Sequence, residues 1–222
     1  MSNFALQRKN MVESQVRPSD ITDRRITRAM LDIPRELFCP EELKSTAYRD
    51  EVLQVNEAKG PRARFTPAPR TLARLIQALD LGDGDAVLEI GAGTGYGAAV
   101  IARMAARLIA LESDAALAAT ARANLAALGA SNTTIIEGDL VAGHAQGAPY
   151  DAILIGACVG VVPRAILDQL KDGGRLAVIV TQRGFGRLTQ WRRLGGTFDS
   201  RVLSDAGAPM LAGFEKREEF VF

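Results

Sequence analysis

Three groups of residues in this chain have types and spacing that can do chemistry. The first is the run Gly91-Ala92-Gly93-Thr94-Gly95-Tyr96-Gly97, which follows directly on the apolar stretch Ala86-Val87-Leu88-Glu89-Ile90. Glycine has no Cβ, so such a backbone turns sharply and lets a ligand lie against it. The second is a set of carboxylates around that turn. Glu89 precedes it by two residues, and Glu112, with Ser113 next to it, follows Gly91 by about 20 residues, the interval at which nucleotide folds place an acid on ribose hydroxyls. The third is the small-residue points Gly138-Asp139 and Gly156, each at the end of a later apolar run.

The spacing narrows the ligand. A dinucleotide fingerprint G-x-G-x-x-G needs glycine at position 96, where this chain has Tyr96. A pyrophosphate also needs helix-terminal N–H groups aimed at it. S-adenosylmethionine carries no phosphate; it needs close backbone approach and a carboxylate near its charged end, a role open to Glu89. The residues expected to bind it are Glu89, Gly91, Ala92, Gly93, Thr94, Gly95, Glu112, Ser113, Gly138, Asp139 and Gly156. Asp139 is expected to accept from the adenine amino group. The competing reading is a glycine turn in an unrelated α/β protein, with Glu112 capping the next helix and Asp139 making an Asx-turn. Strand, turn, helix and acid all in register favour the cofactor.

The elements that must position these residues follow from periodicity. Ala86 to Ile90 and Leu108 to Leu111 read as strands joined by a helix over Ala98 to Arg107. Asp114 to Leu128 is alanine-rich and ends at Gly129, a helix with a C-terminal stop. Thr133 to Ile136, Tyr150 to Ile155 and Arg175 to Val180 read as further strands, with a helix over Pro163 to Leu170. Near-continuous apolar strands separated by helices imply a parallel sheet covered on both faces. Leu188 to Arg193, Phe198 to Leu203 and Glu219 to Phe222 lack helical crossovers and are expected to pair antiparallel at one edge. The fold class is therefore α/β: a doubly wound, mainly parallel, seven-stranded Rossmann-like sheet with antiparallel C-terminal edge strands.

Residues 1–70 read as an N-terminal helical appendage and substrate loop, and residues 71–222 as the S-adenosylmethionine-binding core. The appendage has helical spacing over residues 3–19, again around Ile21 to Leu31, and in a short helix over Glu41 to Ala47. It holds too few large apolar residues to form a core of its own. Tyr48 to Pro69 reads as irregular, with basic residues and prolines throughout, either a solvated linker or a substrate-facing lid.

Composition excludes several function classes. A net charge of +1 advertises neither nucleic acid nor an anionic membrane. No apolar run approaches the ~20 residues of a membrane span, and residues 1–10 lack the apolar core of a signal peptide. Cys39 and Cys158 share no metal-ligand spacing, and a single histidine, His144, cannot anchor a metal cluster or a serine triad alone. A reduced, cytoplasmic setting is expected.

Over nearly its whole length the chain resembles the protein-L-isoaspartate O-methyltransferases, a family of class I methyltransferases. The resemblance rests on Ile33-Pro34-Arg35-Glu36-Leu37-Phe38, Val87 to Tyr96, Glu137-Gly138-Asp139, Ala148 to Ile153 and Gln169 to Leu176. It implies a repair reaction, methyl transfer from S-adenosylmethionine to the α-carboxylate of an L-isoaspartyl residue in a protein or peptide. The ester then closes to a succinimide, which reopens partly to aspartate. Such a reaction needs oxygen, methyl and sulfur held in line in a dry site, with no acid or base.

The chain departs from the family in one place. The family's substrate loop carries a Thr-Ile-Ser-Gln-Pro-type segment, and the matching residues here are Phe65-Thr66-Pro67-Ala68-Pro69. The serine position falls on Pro67, which has neither a hydroxyl nor an N–H. Thr66, Arg64 and Arg70 are the candidates to take over contact with the carboxylate, the arginines bidentately. Two alternatives stay open: a methyltransferase of this lineage with another acceptor, and a catalytically silent cofactor-binding protein.

Overall fold

The computed structural model describes residues 3–182 and 184–216. The terminal strand expected at Glu219 to Phe222 lies outside them. In chain order the elements are α1 (Phe4–Met11), α2 (Arg24–Asp32), β1 (Leu53–Gln54), β2 (Phe65–Thr66), α3 (Pro69–Ala78), β3 (Ala86–Ile90) and α4 (Tyr96–Ala102). Then come β4 (Arg107–Glu112), α5 (Ala115–Ala127), β5 (Thr133–Glu137), β6 (Tyr150–Val159), α6 (Arg164–Leu167), β7 (Leu170–Gln182), β8 (Phe185–Leu194) and β9 (Thr197–Asp205). Among the described residues no helix is long and apolar enough to cross a membrane.

Seven strands form one sheet in the order β5-β4-β3-β6-β7-β8-β9. Pairing is parallel from β5 to β7 and antiparallel from β7 to β9. The strand order reverses between β3 and β6, so their carboxyl ends flank the crevice where open α/β sheets bind ligands. Because side chains alternate along a strand, each strand feeds two layers. Val87, Leu108, Ala110 and Leu154 join one buried cluster with residues of α2 to α5. Leu88, Ile90, Leu111 and Ile153 join the other.

The second layer differs from the helix-covered face that the pattern predicts. Its covering residues are Leu140, Ile166, Leu211 and Phe214, which come from loops and the four-residue α6. The helix expected over Pro163 to Leu170 stops early because Gln169 is drawn into the sheet edge. Its carbonyl accepts from the Tyr150 N–H at 2.9 Å, and its side-chain amide donates to the Ala142 and Ala165 carbonyls at 2.7 and 3.0 Å.

The stretch Tyr48 to Pro69 is more ordered than its sequence implies. Leu53 pairs with Thr66 and Gln54 with Phe65, antiparallel. The Val55 N–H extends the ladder to the Arg64 carbonyl at 2.9 Å. Asn56 staples the connecting loop, donating to the Arg62 carbonyl at 3.0 Å and accepting from the Arg64 N–H at 2.9 Å. Two-residue strands are too short to carry a period, so alternation could not reveal them.

The N-terminal segment shares the larger buried cluster: Met11, Val16, Ile26, Met30 and Phe38 pack in it with Leu72, Tyr96 and Ala110. Its polar anchor is Arg35, fully buried. Arg35 Nε donates to the Ala47 carbonyl at 2.8 Å, Nη2 donates to the Pro67 carbonyl at 2.9 Å, and the guanidinium lies 4.8 Å from the centre of the Tyr96 ring. A buried guanidinium holding two carbonyls and an aromatic face fixes three chain segments at once. Arg35→Ala strips both carbonyls of their donor and leaves a cavity. The expected loss, read by urea unfolding, is about 2–4 kcal/mol, and an unchanged midpoint would show that Arg35 holds nothing together.

Candidate active site

The site is built around Glu112, the last residue of β4, which is fully buried. Its Oε2 accepts from the Gly93 N–H at 2.8 Å, so the acid and the glycine turn are fixed against each other. Its Oε1 accepts from the Ser113 and Asp114 N–H groups at 2.8 and 3.1 Å. The glycine turn is held to β4 a second time, since the Gly91 and Ala92 N–H groups both donate to the Leu111 carbonyl, at 2.9 and 3.1 Å. Gly91, Gly93 and Gly95 all take positive φ (77, 56 and 94°), which side chains rarely adopt. Gly95 opens α4, so the helix begins at Tyr96 rather than at the expected Ala98, and it ends at Ala102 rather than Arg107.

Glu89 lies on the same face. It pairs in register with Ala110, two residues before Glu112, so both carboxylates leave neighbouring strands on one side. Glu89 is buried, and its Oε2 has no hydrogen-bond partner among the described residues. Burial, with the negative charge of Glu112 adding to it, pushes the Glu89 carboxyl up to about 8. The carboxylate rests against the start of α4, where a Cβ on Gly97 would stand 2.1 Å from Glu89 Oε1.

The other expected residues fall around this pair. Gly138 donates to the Glu112 carbonyl at 3.1 Å, and a Cβ there would press on Leu111 Cδ1 at 3.1 Å. Asp139 is exposed at the end of β5 and accepts from the Val141 N–H at 2.9 Å, an Asx-turn that leaves Oδ2 outside it. Gly156 lies in β6 under the Pro67 ring, with Pro67 Cγ 3.9 Å from where its Cβ would be. Thr94 is turned away from the turn's ligand side: its hydroxyl donates to the Phe38 carbonyl at 2.7 Å. Ser113 offers its hydroxyl oxygen to Arg64 Nη2 at 2.9 Å.

Of the three residues expected at the acceptor, one touches the carboxylate at the centre of the site. Arg64 reaches Glu112, Nε to Oε1 at 3.3 Å, with its side chain only 11% exposed. Thr66 is half-buried in β2, two residues on from Arg64. Arg70 points elsewhere; half-exposed at the start of α3, it bridges to Asp50 at 2.8 Å.

Several contacts at the site escape sequence reasoning. Val55 Cγ2 lies 3.4 Å from the point a Gly93 Cβ would occupy, and Leu211 Cδ2 lies 3.4 Å from that of Gly91. The hairpin β1–β2 and the segment after β9 therefore lie over the glycine turn. A cleft of about 520 Å³, lined by Phe38, Val55, Thr94 and Leu117, opens on the far side of Thr94 and does not reach Glu112. Its position follows from that cover. Arg35 carried the one available signal, a charge set among Ile33, Pro34, Leu37 and Phe38.

The Glu89 carboxyl makes stability depend on pH. Its proton stays on in the folded chain above the ordinary value of 4.5 and is lost only near 8. The folded state therefore binds more protons than the unfolded state across that window, and stability falls as pH rises through it. A fully retained proton corresponds to about 1.4 kcal/mol per pH unit at most. Urea unfolding between pH 5.5 and 8.5 should show this decline in the wild type and a flatter profile in Glu89→Gln. Identical profiles would mean that Glu89 keeps no proton.

The cradle fits S-adenosylmethionine on the chain's own features: a buried acid bonded to a glycine turn at the strand-order reversal, and an unpartnered carboxylate oxygen beside it. Comparison with known proteins points the same way. Residues 6–206 match the family model described as protein-L-isoaspartate(D-aspartate) O-methyltransferase. A protein-L-isoaspartate O-methyltransferase of Methanoregula boonei is 39% identical over 209 residues, covering 94% of each chain. A solved protein-L-isoaspartate O-methyltransferase superposes with a TM-score of 0.81 at 27% identity, over 93% of this chain and 66% of its own. The fold is also that of a Plasmodium falciparum protein solved with S-adenosyl-L-homocysteine, at a TM-score of 0.74 and 21% identity, over 95% and 99% of the two chains. With a family model along most of its length and a relative this similar across nearly all of it, the chain belongs to the protein-L-isoaspartate(D-aspartate) O-methyltransferase family.

Proposed function

We propose that this enzyme methylates the free carboxylate of L-isoaspartyl residues in proteins or peptides, with S-adenosylmethionine as methyl donor. The observation that carries the reading is the buried Glu112 carboxylate bonded to the Gly93 N–H at the strand-order reversal, in a chain of this family. When bound, S-adenosylmethionine supplies an electrophilic methyl group. Glu112 would hold the ribose hydroxyls, with Gly91 to Gly95 allowing close approach and Asp139 taking the adenine amino group through Oδ2. Glu89 would face the methionyl end, where a neighbouring cation favours its ionised form. Ser113, Gly138 and Gly156 complete the lining.

The acceptor needs little chemistry from the chain. A carboxylate is ionised at neutral pH, so no base has to take a proton from it. What remains is orientation and exclusion of water, tasks suited to the hairpin β1–β2 and Pro67, which lie over the strand ends. We place residues 1–70 mainly on the acceptor side and residues 71–222 on the donor side, in a cytoplasmic enzyme. Thr66 and Arg64 are the acceptor contacts. Arg70 becomes a third only if its bridge to Asp50 opens. A second reading, transfer to another acceptor, is favoured by one residue, Pro67, where the family carries serine.

An isoaspartyl peptide with methyl-labelled cofactor tests the proposal. Base-labile volatile methyl ester is the expected product, and its absence in protein that binds S-adenosylhomocysteine would transfer the case to the second reading. Glu112→Ala should weaken S-adenosylhomocysteine binding by about 1–3 kcal/mol, the scale of hydrogen bonds to a charged group. An unchanged dissociation constant would take Glu112 out of the site.

A further inference from the structure

Arg64 is bonded where a ribose would have to bind. A vicinal diol held by a carboxylate needs a face of that carboxylate that no side chain already covers. On Glu112, Oε2 receives only the Gly93 N–H and keeps a position open. Oε1 already receives four donors: the Ser113 and Asp114 N–H groups, Arg64 Nε and the Ser113 hydroxyl. The two side-chain bonds are the long ones, 3.3 Å from Arg64 and 3.4 Å from the Ser113 hydroxyl. The rest of the guanidinium is held lightly: Nη2 has the Ser113 hydroxyl at 2.9 Å, while Nη1 has only the Pro61 and Ala63 carbonyls, both at 3.4 Å. Moving the guanidinium off Glu112 therefore breaks the long bond to Oε1 and the bond to the Ser113 hydroxyl, and leaves the two backbone N–H bonds to Oε1 intact.

The backbone of Arg64, in contrast, is fixed on both sides. Its N–H donates to Asn56 Oδ1 and its carbonyl accepts from the Val55 N–H, each at 2.9 Å. The side chain can move without the loop. The same pairing extends the β2 ladder back to Arg64, so Arg64 and Thr66, two residues apart, project from one face of the hairpin. Pro67 follows, over Gly156. A guanidinium leaving Glu112 stays on the face that carries Thr66 and borders the end of β6.

We propose that Arg64 is an exchangeable counter-ion: it pairs with Glu112 until the cofactor's ribose takes that carboxylate, and then pairs with the carboxylate of the acceptor. The inference rests on the function proposed above. It makes Arg64 a specificity-determining residue and makes binding ordered, because the cation that receives the acceptor is freed only by the donor. A guanidinium suits the second task, since it matches a carboxylate in bidentate fashion.

The exchange predicts effects of opposite sign, which a merely structural role cannot produce. In Arg64→Ala, S-adenosylhomocysteine should bind about threefold to tenfold more tightly by calorimetry, since the largely buried Arg64–Glu112 ion pair no longer competes. The KM for an isoaspartyl peptide should rise about tenfold or more, the loss of a charge-assisted bond to the acceptor. Arg64→Lys should fall between wild type and Arg64→Ala in both readings. Weaker or unchanged S-adenosylhomocysteine binding in Arg64→Ala overturns the exchange, and so does an unchanged peptide KM; a fold-wide defect would weaken both ligands together. Wild-type protein that forms no ester with the peptide would remove the acceptor reading on its own. The titration would then still decide whether Arg64 competes for Glu112.

Discussion

Two acids buried side by side set the terms for the rest of this structure. Glu89 and Glu112 leave adjacent parallel strands on the same face, and the fold treats them in opposite ways. Glu112 is surrounded by donors, three backbone N–H groups, the Ser113 hydroxyl and a guanidinium, which compensate a carboxylate removed from water. Glu89 receives no such set and keeps its proton toward pH 8. A buried acid whose proton is held this strongly, in a crevice, is a recurring mark of functional sites. Here the asymmetry follows from position along the strand: Glu112 stands at the open end among turning backbone, while Glu89 stands inside the sheet against a helix start.

That helix start is shaped by the acid it covers. Gly97 has no need of glycine's conformational freedom, yet a Cβ there would collide with Glu89 Oε1. The last glycine of the run thus makes room, while the first three make the turn. Tyr96, at the position where a dinucleotide fingerprint has glycine, is used in a third way. Its ring packs edge-on against Phe38 at 5.4 Å and lies under the Arg35 guanidinium. One seven-residue stretch accordingly holds a tight turn, a slot for a carboxylate and the anchor of the N-terminal segment.

Much of this was legible in the sequence, for physical reasons that differ by element. The strands β3, β4, β6 and β7 are largely buried and read as apolar runs, while the edge strand β5 shows through its β-branched residues; the glycine turn and Glu112 are bound by spacing along one βαβ unit, which is local. Asp114 and Gly129 bound α5 as their types require, Asp114 accepting from the Ala116 N–H at 2.9 Å and Gly129 taking φ 65°. What stayed hidden depends on contacts between distant segments. The hairpin β1–β2 has no period, α6 is cut short by the pull of Gln169, and the cover of Val55 and Leu211 over the glycines comes from opposite ends of the chain. Arg64 and Thr66 could be named from the loop's composition, but that Arg64 reaches Glu112 could not. Arg70, equally basic and six residues on, is held by Asp50 instead.

The Pro34 to Cys39 turn has a consequence for anyone recombining this enzyme with its relatives. Through the Phe38 carbonyl it holds the hydroxyl of Thr94 in the glycine turn, and through Arg35 it holds the Pro67 carbonyl beyond the β1–β2 hairpin. A chimera cut at the apparent seam near residue 70 would transplant Arg35 and Phe38 without Thr94 and Tyr96. Residues 35, 38, 94 and 96 are therefore one packed unit that straddles that cut. Interchangeable acceptor modules in this fold would have to bring part of the glycine turn with them.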